Sequence, residues 1–472
     1  MVSLVFEGTP LSLVPIILTL IIAFVFKDAI FALFIGCIVG VLMIGFDPAT
    51  GFSKLAQQAL GNADFIWVAL IEIFIGILIG LFYISGVVAS FSELASRKIR
   101  SRRAAAGLAG LLGTFVFFSD YFSPLFVGTV TRPITDKHRV SREKLSFILD
   151  TTASPVCTLL PFSAWGAYMS GLLVGYGPIK DPAEAMGVVL ASVPYNFYSL
   201  IIVALSLLLA FYVIPDYGPM KKAEERALTT GKVLRDGAVP LVSKELEEIR
   251  PPEGRRGNIV LHLILPVLII IGVAIGTFIV MGSAKTLEAF IAATLYLAVM
   301  LGIQRYFKDV RDFTNVSLNG IKGVLPAITI LALAYCINTV TKTLKAQEFI
   351  IAVTSGWITP ITLLLITFIT ACLISYFTGT SWGTYAILTP FVVPLAFQLT
   401  GGKVTPLIYA TVAAILGGGV FGDHASPVSD TTVLASFASA CDHIDHVITQ
   451  LPYALTAAGA ALALYLVMGV ML

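Results

Sequence analysis

Eight stretches of this chain come close to the length of apolar helix that crosses a bilayer, about 20 residues, and they limit the fold more than any motif does. They cover residues 11–26, 28–46, 64–87, 194–214, 258–281, 286–303, 321–341 and 452–472. A soluble domain would have to bury every one of them. With 57% hydrophobic and 12% charged residues there is too little polar surface for that, and a mean hydropathy of +0.92 agrees. The chain reads as an all-α polytopic membrane protein. Its first 20 residues have no basic n-region and no small-residue cleavage site, so the first apolar run is expected to stay as a span.

Four further stretches, 104–131, 144–176, 357–399 and 404–440, are apolar overall but interrupted by Gly, Pro, Ser, Thr and Asp. Such residues break a helix. Of 30 Lys and Arg, 23 fall in 97–103, 132–144, 215–257 and 305–322, and the excess of basic residues in cytoplasmic loops assigns all four to the inside. Each crossing must change sides, and one path satisfies this. Three spans lead in from outside, 104–131 forms a re-entrant hairpin, 144–176 goes out as a broken helix, and 194–214 returns. After a charged cytoplasmic linker at 215–257, three more spans, a hairpin at 357–399, a broken helix at 404–440 and a last span at 452–472 follow. Residues 1–214 and 258–472 therefore read as two inverted-topology repeats with hairpin segments and discontinuous helices, an architecture of secondary transporters. The tetrapeptide ASPV occurs in the broken crossing of each half, at Ala153–Val156 and Ala425–Val428. Both termini are expected outside a cell (cytoplasmic) membrane, and the linker, most simply a solvated connector, inside.

Breaks in a membrane helix persist where protein or water satisfies the freed backbone, so they mark a cavity. Ser154-Pro155 and Ser426-Pro427 have the form of an N-cap serine followed by proline at the first helical position, each opening a half-helix. The end of the preceding half offers carbonyls to a cation, and the new N-terminus offers partial positive charge to an anion. Into the breaks the sequence places Asp150, Thr151 and Thr152, and Asp423, Asp430, Thr431 and Thr432. Carboxylate, hydroxyl and carbonyl oxygens are the donors that a hard cation chooses, so Na+ is placed at Asp423, Asp430 and Asp150. One carboxylate that takes either Na+ or H+, never both, is the smallest machine for exchange. The competing reading is that these residues only cap and pack the breaks.

Other polar residues line the candidate pathway: Asp120 and Ser123 in the first hairpin, Thr378, Thr380 and Ser381 in the second, and Glu72 on the Gly76/Gly80 face of its helix. That face is a GxxxG-type stripe, so Glu72 is expected to face a helix. His424, His443 and His446 are pH-sensing candidates because histidine titrates near neutrality, with a capping role for the Asp442–His446 segment as the plainer reading. No third ligand at a recognisable spacing supports a structural metal there. The cysteines Cys37, Cys157, Cys336, Cys372 and Cys441 form no CxxC pattern. HExxH is absent and no credible nucleophile and base pair stands out, so an enzyme is not indicated.

The segments FGDHASPVSDTT and CDHIDHVITQLPYAL resemble the signature region of the NhaC family of sodium/proton antiporters, and FFSDYFSPLFVG with ILDTTASPV resembles its first-half counterpart. The resemblance implies a secondary antiporter of the ion-transporter type, with Asp423, Ser426, Asp430 and Thr431 in the second-half site and Asp150, Thr152 and Ser154 in the first. It leaves the cargo open, since similar proteins exchange organic acids such as malate and lactate. Two functions follow: Na+/H+ exchange by alternating access, or Na+- or H+-coupled exchange of a small organic acid or amino acid held at the Ser154 and Ser426 half-helix N-termini. A channel fits less well, because its filter usually comes from symmetric rings. No cofactor is expected, Na+ and H+ being cargo. The expected partners are membrane lipid, these ions and, in the second reading, an organic substrate; a homodimer stays open, and nothing points to nucleic acid.

Overall fold

The computed structural model describes residues 6–26, 28–47, 50–61, 63–117, 120–160, 164–241, 249–252, 254–281, 285–346, 348–349 and 359–472. Parts of the expected segments lie outside these residues: 118–119 in the first hairpin, 161–163 in the first broken crossing, 242–248 and 253 in the linker, and 357–358 in the second hairpin. Among the described residues the secondary structure is helical, with a single isolated β-bridge between Pro240 and Asp442.

The first half runs through α1 (Val14–Phe26), α2 (Ala29–Ile44), α3 (Gly51–Leu60), α4 (Ala63–Ser85), α5 (Val87–Lys98), α6 (Arg102–Phe115) and α7 (Phe122–Lys137). It continues with α8 (Arg142–Thr151), α9 (Ser154–Leu159), α10 (Ala164–Leu173), α11 (Pro182–Ser192) and α12 (Phe197–Ala210). The linker holds α13 (Gly218–Thr230). Beyond it come α14 (Leu265–Met281), α15 (Thr286–Ile303), α16 (Val310–Thr343), α17 (Pro360–Thr378) and α18 (Ser381–Leu399). The chain closes with α19 (Pro406–Ala425), α20 (Asp430–Ser439) and α21 (His443–Met471).

By length and apolarity five helices qualify as spans, and two bent pairs raise the number to as many as seven. The expected span at 194–214 is one half of such a pair. Its helix starts only at Phe197, and Ala183–Tyr195 precedes it at 53°. Pro194 lacks the N–H that would continue the first segment, and Asn196 caps the second by accepting from the Ser199 amide. The 321–341 run is the core of a much longer helix. α16 has 34 residues, about 51 Å at 1.5 Å per residue, and begins among charged residues at Val310.

Two pairs of helices approach so closely that only glycine fits. A methyl group on Gly76 of α4 would lie 2.8 Å from the carbonyl oxygen of Gly320 in α16, as the GxxxG stripe predicts. One on Gly422 of α19 would lie 2.0 Å from the Tyr376 amide nitrogen of α17. The second contact sets the depth at which the second hairpin meets the second break.

The four basic segments meet at one end of the molecule. Arg102 donates to the Arg139 carbonyl and pairs with Glu224 at 3.0 Å, Arg226 pairs with Glu143 at 2.9 Å, Tyr306 donates to the Arg256 carbonyl at 3.1 Å, and Arg255 donates to that of Gln304. Glu7 and the end of α21 lie at the other end, where Lys345 pairs with Glu7 at 3.0 Å and Gly469 packs on Ile361. The described part of the linker, though largely exposed, is also tied into the fold. Lys144, fully buried, reaches Asp216 at 2.8 Å and Glu224 at 3.5 Å beneath the Tyr212 ring. Further on, Arg235 pairs with Asp445 at 2.7 Å and the Val239 amide donates to Asp442 at 2.9 Å. Charges that a one-dimensional reading assigns to water here neutralise one another across the fold.

Candidate ion-binding site

The second break is built by the stretch Gly422–Ser429. α19 ends at Ala425, the Ser426 amide turns back to the Gly422 carbonyl at 2.9 Å, and Pro427 has no amide to give. α20 restarts at Asp430 under an N-cap that is Ser429, whose hydroxyl accepts from the Thr432 amide. The expected Ser426 cap is therefore displaced by three positions. Ser426 instead donates to the Tyr376 carbonyl at 2.7 Å and ties the break to α17. In the first half Ser154 is likewise not the cap: Ala153 precedes α9, and the buried Ser154 hydroxyl has no hydrogen-bond partner.

Both hairpin tips reach the second break. From the first, the Tyr121 hydroxyl donates to Asp430 Oδ2 at 2.7 Å. From the second, Ser381 donates to Asp423 Oδ2 at 2.7 Å, and Gly379, at φ +68°, closes against the Val428 carbonyl. Asp423, 1% exposed, also accepts from Ser429 at 2.9 Å and, at 3.4 Å, from Thr431, while its backbone carbonyl accepts from Thr432 at 3.0 Å. Asp430 is half-buried and accepts from the Thr431 amide at 2.8 Å. The two acids thus share one setting of hydroxyl oxygens and freed carbonyls at the start of α20.

Asp120 accepts from the Trp165 indole at 2.8 Å, and Trp165 packs on Trp382 with ring centroids 4.1 Å apart. Glu72 is fully buried in α4, and neither of its carboxyl oxygens has a hydrogen-bond partner. One turn earlier Trp67 stands edge-on to Tyr121 at 6.3 Å, so α4 borders the same site. Among the described residues none of Glu72, Asp120, Asp423 and Asp430 has a Lys or Arg partner. Removing a carboxylate from water without a compensating charge is costly. Such carboxyls need a bound proton or another cation to be neutral.

Asp150 belongs to a second network. Its Oδ2 accepts from Gln450 at 2.9 Å and lies 3.8 Å from His446, while its Oδ1 has no partner. Gln450 also donates to the His424 carbonyl, and the His424 ring lies between Thr151 at 2.8 Å and Tyr198 at 3.0 Å. His443 and His446 share the Ser436 hydroxyl at 3.0 and 2.8 Å. All three histidines are buried rather than facing water, and Asp442 alone takes the expected cap, accepting from the Ile444 and Asp445 amides. No set of three His, Cys, Asp or Glu converges as a metal site among the described residues, and the hydrogen bond that Asp150 accepts comes from Gln450. Thr152, Thr378 and Ser123 spend their hydroxyls on the carbonyls of Ile148, Ile374 and Gly113, and Thr380 precedes α18 as an N-cap without a side-chain bond. Sequence reasoning passed over Tyr121, Trp165, Ser429 and Gln450. Only Ser429 and Tyr121, next to residues already singled out, carried a local signal.

Residues 156–470 match the Na+/H+ antiporter family. The chain belongs to that family. It is a secondary antiporter and a multi-pass membrane protein. An uncharacterised protein of Haemophilus influenzae is 31% identical over 98% of the antiporter and 92% of its own length. The malate-2H(+)/Na(+)-lactate antiporter of Bacillus subtilis is 30% identical over 44% of each chain. The arginine/ornithine antiporter ArcD of Halobacterium salinarum is 33% identical over 34% of the antiporter and 32% of its own length. The match to each of these two exchangers covers less than half their length.

Proposed function

We propose that the antiporter exchanges Na+ for H+, with Asp423 and Asp430 as the shared carboxylates. The observation that carries this is a pair of acids at a helix break, ringed by Ser381, Ser429 and Thr431 hydroxyls and without a Lys or Arg partner among the described residues. Hydroxyl, carbonyl and carboxylate oxygens suit a hard monovalent cation. With Na+ bound the hydroxyls turn lone pairs toward it; with Na+ gone, protons take over the charge balance. Only a loaded site, neutralised either way, is cheap to carry through a low-dielectric barrier.

The two halves act as inverted repeats that alternate access, one hairpin entering from each end of the molecule, the first tip bonded to Asp430 and the second to Asp423 on either side of the second break. The basic end is cytoplasmic by the positive-inside rule, and the termini are outside. The test is transport: purified protein in proteoliposomes with a trapped pH dye, an imposed pH gradient and a Na+ pulse without organic solute. Na+ should dissipate the gradient, and Asp423→Asn or Asp430→Asn should abolish the signal in folded protein. A flat wild-type trace would refute the reading.

A second reading, exchange of a small carboxylate or amino acid, draws on the names of two relatives and on the unpartnered Ser154 hydroxyl in the first break. It predicts that ion movement appears only after such a solute is added.

A further inference from the structure

At the basic end a cavity of about 520 Å³ lies between the α4–α5 turn, the last turn of α7 and the end of the linker. Val88, Pro133, Ile249 and Pro251 make most of its wall apolar. Its charged groups are Glu93, Lys137 and Arg250. Glu93 is already engaged by Arg97 at 2.9 Å, and the acid nearest Lys137 in sequence, Asp136, is engaged by Arg142 at 3.1 Å. Lys137 and Arg250 have no acidic partner among the described residues. The cavity thus presents two cations that have no acidic partner among the described residues, over an apolar wall. Gly86, at φ +71°, turns α4 into α5 directly beneath Pro251, which fixes the shape of that wall.

We propose that this cavity binds one anionic phospholipid, its phosphate between Lys137 and Arg250 and the start of its acyl chains along Val88 and Ile249. A soluble phosphate would use the two cations and waste the wall; a neutral lipid would use the wall and leave the cations unpaired. An anionic lipid uses both. Position favours it as well, because the end that carries these basic segments is the one charge assigns to the cytoplasmic leaflet, where anionic headgroups attract basic residues. The occupant also sits at a mechanical junction. α7 runs from Phe122, next to the Tyr121 that holds Asp430, to Lys137, about 24 Å for its 16 residues. A headgroup held by Lys137 and Arg250 would join the far end of that helix to the linker.

The experiment is native mass spectrometry of the full-length protein with phosphatidylglycerol or phosphatidylcholine added in turn. Wild type should retain one phosphatidylglycerol in preference to phosphatidylcholine. The pair Lys137→Gln/Arg250→Gln should weaken that binding about 30-fold, from the worth of two basic residues at an anionic headgroup. Ala89→Trp, at an exposed position on the cavity rim, should block it with both cations intact and without burying the new ring in the core. Equal retention of the two lipids, unchanged binding in the folded variants, or displacement of the lipid by excess inorganic phosphate would each overturn the proposal, the last in favour of a soluble phosphate ligand.

Discussion

Ser381→Ala isolates one oxygen of the cation site. Ser381 is fully buried at the start of α18 and donates to Asp423 Oδ2 at 2.7 Å; its second contact, to the Gly419 carbonyl, is longer at 3.3 Å. Asp423 keeps Ser429 at 2.9 Å and Thr431 at 3.4 Å after the change, so the carboxylate is weakened as a ligand rather than stripped. A hydrogen bond to a charged group is worth about 1.5–3 kcal/mol, and about 1.4 kcal/mol is tenfold in affinity. Loss of this contact together with one oxygen donor should therefore weaken apparent Na+ affinity roughly 10- to 150-fold. The assay is the Na+ dependence of proton movement in proteoliposomes. Thr378→Val is the control: three residues away, its hydroxyl bonds only the Ile374 carbonyl of its own helix, so its Na+ dependence should stay within about twofold of wild type. A Ser381→Ala antiporter with unchanged Na+ affinity would refute the assignment of this oxygen to the site.

Lys144→Met leaves Asp216 and Glu224 without their buried cation and should cost about 3 kcal/mol, the low end of the range for broken buried pairs. The low end applies because Glu224 keeps Arg102 at 3.0 Å, Tyr212 at 2.6 Å and the Ser141 amide at 2.8 Å; thermal unfolding should recover in Lys144→Met/Asp216→Asn. Gly422→Ala, whose methyl would meet the Tyr376 amide nitrogen at 2.0 Å, should abolish a monodisperse peak in size-exclusion chromatography, whereas Gly276→Ala, with open space around it, should not. Glu72→Gln removes a fully buried carboxyl that has no hydrogen-bond partner, so unfolding temperature should hold or rise while transport falls; a loss of stability with normal transport would make Glu72 a packing residue.

The parts of this fold that depend on local composition could be read from the sequence. Apolar runs gave helices, of which those at 64–87, 258–281 and 452–472 are long and apolar enough to span, while Pro360–Thr378 and Pro406–Ala425, expected as parts of a hairpin and a broken crossing, qualify as well; Gly and Pro gave the breaks, and basic clusters gave a set of segments that meet at one end. The GxxxG face of α4 found its partner because a helix stripe of small residues has one use, close approach. What failed needed contacts distant in the chain. Ser426 resembles an N-cap, yet the Tyr376 carbonyl 50 positions earlier claims its hydroxyl and Ser429 takes the cap. Asp150 looks equivalent to Asp423, yet Gln450, 300 positions away, draws it into a network of buried histidines. The linker reads as solvated because several of its charges, Asp216 and Arg235 among them, are balanced by partners outside it, Lys144 and Asp445. No periodicity encodes those pairings.

The most direct test of the shared-carboxylate claim is proton release on Na+ binding, read with a pH dye in weakly buffered solution of the purified, detergent-solubilised antiporter. Competition at Asp423 and Asp430 predicts that added Na+ releases protons in proportion to site occupancy, that choline does not, and that Asp423→Asn removes the signal. Na+ binding, measured in parallel by calorimetry, with no proton released would contradict a site at which the two ions exclude each other.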